Sequence, residues 1–138
     1  MDIEFDPLRV LVVAPGDMQS EFRRQLSSFG AVPVLVKDAS ELAHAVRNQE
    51  IHQVALLPAV LLDNDWWAIW GEFGLLNARP EILVYAQTAS FQLWSGVLEA
   101  GGYDVIVEPL TDEKLREAVL LAAESFAQRY SGSDGEKG

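Results

Sequence analysis

Five short apolar runs recur along the chain, each followed by a stretch of helical periodicity, and this alternation constrains the fold more than any other feature. The runs are RVLVVAP (9–15), AVPVLVKD (31–38), IHQVALL (51–57), PEILVYAQ (80–87) and YDVIVEPL (103–110). They are rich in β-branched residues and nearly continuous in their hydrophobicity, as strands covered on both faces are. Between them, Met18, Phe22 and Leu26 recur every four residues, and Gly30 stops the run. Gly16 or Asp17 stands near that helix's N-cap. Ser40 opens a second helix over 39–49 with Leu42 and Val46 inward. A third helix begins near Trp66, and a fourth covers 90–102. The last runs over 111–130, capped by Thr111 or Asp112, with Leu115, Ala118, Val119, Ala122 and Phe126 as its buried stripe.

Strand and helix in strict alternation predict a parallel sheet with helices on both faces. For five strands the expected order is 2-1-3-4-5, the flavodoxin-like three-layer α/β/α sandwich. The length of 138 residues suits one domain: an N-terminal extension over 1–8, the domain over 9–130, and a tail over 131–138. That tail, SGSDGEKG, holds no apolar residue and is expected to be disordered.

Composition narrows the function. The net charge is −11, which repels phosphate backbones and argues against a nucleic-acid partner. The absence of cysteine excludes disulfides, thiolate catalysis and cysteine-ligated zinc. No signal-peptide pattern and no membrane-length apolar run is present, so a cytoplasmic protein is expected. No serine, histidine and acid order, metal motif or paired catalytic carboxylate marks an enzyme, and no cofactor is expected. His44 and His52 read as surface or rim residues.

In a sheet of this order, ligand chemistry sits beyond the carboxyl ends of strands 1 and 3. Ala14, Pro15, Gly16 and Asp17 follow strand 1, and Pro58 follows strand 3. The segment VLEAGGYDVIVEPL (97–110), the opening RVLVV with its helix ending in SSFG, and the spacing from strand 3 to DNDWW resemble the receiver domain of bacterial response regulators over residues 9–129. That family takes a phosphoryl group on an aspartate ending strand 3. An acidic pair after strand 1 helps to hold Mg²⁺, and a hydroxyl on strand 4 and a lysine on strand 5 bind phosphoryl oxygens. The resemblance sets Ala14 and Pro15 at the acidic pair, Pro58 at the acceptor, Tyr85 at the hydroxyl and Glu108 at the lysine. All have changed type, and Pro58 has no nucleophile. The resemblance therefore implies a pseudo-receiver: a two-component, phosphorelay-type signalling fold that does not accept phosphate and acts by protein–protein interaction. It also implies a cis bond at Glu108–Pro109.

Several residues carry two readings. Asp17 is either a helix cap or first-turn acid or, with Asp63, Asp65 and Glu108, part of an acidic mouth that holds a cation. A small-molecule- or cation-binding flavodoxin-like domain is accordingly the alternative function. Tyr85 is either core or a lock that fills space left by Val105, which stands where receivers carry an aromatic on strand 5. Adjacent Trp66 and Trp67 cannot both point into one core while Ile69, Trp70 and Phe73 fill the inward stripe. They either cover the rim or anchor a partner. Phe91 and Leu93 on the fourth helix, and Leu120 and Leu121 on the fifth, lie partly off the inward stripes. With strand 5 they outline a face for a protein partner or a homodimer.

Overall fold

The computed structural model describes residues 7–47, 51–59, 71–76 and 78–137, with the side chains of residues 39 and 131–137 excepted. Five strands, β1 (Arg9–Val13), β2 (Val32–Val36), β3 (Val54–Pro58), β4 (Glu81–Ala86) and β5 (Asp104–Val107), form one parallel sheet in the order β2-β1-β3-β4-β5. The helices are α1 (Gly16–Ser27), α2 (Ala39–Arg47), α3 (Phe91–Glu99) and α4 (Asp112–Lys137). Residues 71–74 are helical as well. The expected three-layer α/β/α fold is the observed one.

Strand alternation sorts the core into two halves. Val10, Val12, Leu56, Leu83, Tyr85 and Ile106 face Phe22 and Leu26 of α1 and Leu115, Val119 and Ala122 of α4. Leu11, Val13, Leu57, Ile82 and Val84 face Leu42 and Val46 of α2, Phe73, and Val97 of α3. All residues of β3 and β4 are buried. These central strands are covered on both faces, which explains their lack of polar alternation.

The helix ends refine the expected caps. Pro15 occupies the N-cap of α1 and makes no side-chain capping bond, and Asp17 lies exposed in the first turn. The chain leaves α1 through Gly30 at φ +89°, a conformation that glycine adopts without a Cβ penalty. Asp38, and not Ser40, caps α2: its Oδ1 accepts from the Glu41 amide at 2.9 Å, while Glu41 Oε1 accepts from the Lys37 amide at 2.7 Å. Two donors are thereby satisfied reciprocally, in the manner of a capping box. Ser90 caps α3, and Thr111 Oγ1 accepts from the Lys114 amide at the start of α4. The bounds of α4 run past Tyr130, into the stretch expected as a tail.

His52 corrects the histidine reading. It is buried, at 3% exposure, while His44 is exposed. The residue precedes β3, a central strand whose approach is covered along with the strand itself.

Candidate functional site

The C-terminal ends of all five strands open onto one cleft of about 670 Å³. Its walls include Ala14 and Pro15 after β1, Lys37 after β2, Pro58 and Ala59 at β3, Tyr85 to Thr88 at β4, and Glu108 after β5. Met18 and Leu93 close it from α1 and α3. The five positions that the receiver resemblance sets at the phosphorylation pocket, Ala14, Pro15, Pro58, Tyr85 and Glu108, all line this cleft. The parallel register sets this arrangement, pairing Pro58 with Tyr85 across β3 and β4.

The chemistry of the cleft is spare. Proline has no amide N–H, so Pro15 and Pro58 offer no backbone donor to an anion. The Ala14 amide is taken by the Val36 carbonyl at 3.0 Å, and the Ala14 carbonyl accepts from Gln19 Nε2 at 3.0 Å. The Glu108 amide donates to the Ala86 carbonyl at 2.8 Å, which aims the chain into the cis Glu108–Pro109 bond. The receiver resemblance implied that isomer.

Tyr85 is deeply placed, at 3% exposure. Its hydroxyl reaches past the end of β3 and donates to the Val13 carbonyl at 2.9 Å. Its ring meets Phe22 with centroids 5.3 Å apart and planes tilted by 59°. Burial, and then the negative charge of Glu108, push its phenol well above the usual tyrosine range. At neutral pH the group is a spent donor in its neutral form.

Three expectations change here. Val105 does not leave room for Tyr85. In the register of β4 with β5, Tyr85 pairs with Ile106 and Val84 with Val105, so Tyr85 and Val105 point to opposite faces of the sheet. Tyr85 fills its space against Phe22 of α1 instead. Leu93 is not an outward residue: it is half-buried, packs on the α3 side of the core and lines the cleft. Val105 is likewise half-buried in that core half.

Phe91, Leu120 and Leu121 are exposed as expected, Phe91 at 77%. Sequence reasoning missed Trp94. It lies one turn from Phe91, is 44% exposed, and holds its ring 6.3 Å from that of Phe91. The i, i+3 spacing in FQLW was the available signal, because residues three apart share a helix face.

A second, smaller cleft of about 250 Å³ adjoins the first, sharing Met18 and Glu108 with it. Asp17 and Glu21 line it from α1. Glu21 is held by Arg24 at 2.6 Å, and Arg24 also reaches Asp112 at 2.8 Å. These hydrogen bonds hold the Glu21 and Asp112 carboxyls below the usual range. No group of three or more metal-type ligands occurs among the described residues. Asp63, Asp65, Trp66, Trp67, Ile69 and Trp70 lie outside the described residues, so the acidic mouth and the tryptophan anchor stay as expectations. No helix among the described residues is long and apolar enough to cross a membrane.

No protein-family model and no curated protein matches the sequence. Solved structures do. A CheY-like response regulator receiver domain from Methanospirillum hungatei superposes with a TM-score of 0.77 at 18% identity, over 90% of this chain and 99% of that one. The receiver domain of a putative LuxO repressor from Vibrio parahaemolyticus gives 0.77 at 14% identity, over 90% and 95%. The receiver domain of a sensor histidine kinase from Pseudomonas aeruginosa, which carries magnesium in its active-site cleft, gives 0.71 at 18% identity, over 86% and 99%. The chain therefore has the fold of the response regulator receiver domains.

Proposed function

We propose that this chain is a receiver-like module that accepts no phosphoryl group and works in cytoplasmic signal transduction through protein–protein contact. The observation that carries the reading is Pro58. It ends β3 and is buried in the sheet, and the receiver resemblance sets it, with no nucleophilic atom, at the acceptor position. Its surroundings agree. Phosphoryl chemistry needs cations and preorganised donors around the transferred group. Here Ala14 and Pro15 supply no carboxylate for a metal, Tyr85 has committed its hydroxyl to Val13, and Glu108 adds negative charge. What remains is a stable scaffold with outward apolar side chains. Phe91 and Trp94 on α3, with Leu120 and Leu121 on α4, are among its exposed large hydrophobic groups and are offered to a partner or a second copy.

The test is direct. Incubation with acetyl phosphate and Mg²⁺ leaves the intact mass unchanged, in the wild type and in Pro58→Asp alike. The variant regains only the acceptor, without the cation-binding pair or the lysine. A stoichiometric, hydroxylamine-labile mass gain in the wild type would refute the proposal.

A further inference from the structure

We propose that the cleft at the C-terminal edge of the sheet docks an extended segment of a partner polypeptide, one in which apolar side chains lead to a lysine or arginine. This rests on the interaction-module reading and names its site. Three observations carry it.

The cleft is long. It reaches from Lys37, after edge strand β2, to Glu108, after the opposite edge strand β5. Strands lie about 4.8 Å apart, so four intervals span roughly 19 Å, the length of about six extended residues. Its floor is apolar and donor-poor. Ala14 and Pro58 are small or lack an N–H, and Tyr85 has spent its hydroxyl on Val13. The floor residues Ala14, Pro58 and Tyr85 offer an anion no free donor, whereas an aliphatic side chain gains by leaving water.

The charged residues that line the far end are all acidic. Glu108 lines both clefts, and Asp17 lines the adjoining one. Neither makes an ion pair among the described residues, while the neighbouring Glu21 is held by Arg24. An apolar segment laid over the cleft would strip water from Glu108 and leave it uncompensated, unless the segment brings a cation to that point. A basic residue beside the apolar ones meets both requirements. Lys37, at the opposite end, sets the direction of the segment.

A library of random hexapeptides, displayed on phage and selected on the full chain, tests this. Peptides with a basic residue next to apolar ones should be enriched. The strongest of them, titrated into isotope-labelled protein, should shift the amide signals of residues 14, 16–18, 85–88 and 108. Glu108→Gln should weaken it about tenfold, and Asp17→Asn by a smaller factor. Either variant showing a wild-type spectrum away from the cleft excludes misfolding as the cause. Enriched peptides that shift Phe91, Trp94 or Leu120 instead would overturn the cleft proposal and leave the interaction reading standing. Failure to enrich any peptide would count against both.

Discussion

The two edges of the sheet are built on opposite plans. At the amino-terminal edge, polar side chains knit the strands to the last helix. Glu81, 8% exposed at the start of β4, accepts from Ser125 Oγ at 2.5 Å and pairs with Arg129 Nε at 3.2 Å. Arg129 also donates to the Arg79 carbonyl at 2.7 Å and stacks over Tyr130, whose hydroxyl accepts from the Arg79 amide at 2.8 Å. Gln53 bridges the approaches to β1 and β3, accepting from the Arg9 amide and donating to the Pro7 carbonyl. The carboxy-terminal edge shows prolines, alanines and one inward tyrosine around an open cleft. The lesson concerns cost. Buried charge is expensive unless its partners are in place, and Glu81 at the amino-terminal edge has them in Ser125 and Arg129. At the other edge the strand exits carry Ala14, Pro15, Pro58 and Ala86, and the cleft between them is lined mainly by apolar side chains.

The comparison predicts where the molecule is most sensitive. The largest effect is expected at the cleft, not in the ionic network. Tyr85→Thr removes a buried ring from between Phe22 and the end of β1, and should destabilise the fold by about 3–5 kcal/mol in urea unfolding. Hydrogen exchange should show β4 and β5 losing protection along with it. Unchanged protection there would mean that Tyr85 is packing alone and not a lock on the edge.

At the opposite edge, Arg129→Met leaves the Glu81 carboxylate buried with Ser125 as its remaining side-chain partner. Arg129 itself is 43% exposed, so water replaces part of what it gave. The expected loss is about 1–2 kcal/mol. A loss above that of Tyr85→Thr would reverse the ranking of the two edges.

The smallest change is Tyr85→Phe, which keeps the ring and deletes one hydrogen bond, for about 1 kcal/mol at neutral pH. It also isolates a pH effect. The folded Tyr85 phenol titrates above the ordinary value of 10.0, so above that pH the unfolded chain has released a proton that the folded chain retains. The unfolded state then binds fewer protons, and stability falls as pH rises. The contribution is complete below pH 10 and is lost on the way up to the folded value. Denaturation at pH 8 and pH 11 should show the wild type losing more stability than Tyr85→Phe. Equal losses would show that the hydroxyl is not held in its neutral form by burial.

How far the sequence determined this protein follows from the range of the interactions involved. Strand runs and helical stripes are local patterns, so the alternation, the strand order and the stripe Leu115, Val119, Ala122 and Phe126 are legible in the sequence alone. So are the residues at the strand exits, because a parallel βαβ topology always delivers them to one edge. Side-chain facing between strands is not legible. The pairing of Tyr85 with Ile106 depends on register, and a one-residue difference moves a side chain to the other face. This is why the expectation that Val105 leaves room for Tyr85 fails. The Asp38 cap and the burial of Leu93 likewise depend on where helices begin and how they rotate against the sheet. The chain's patterns chose the architecture, since burial of apolar surface follows periodicity. Only the tertiary structure decided that Tyr85 would reach Val13, 72 residues away, since no local rule specifies contacts that the folded sheet alone brings together.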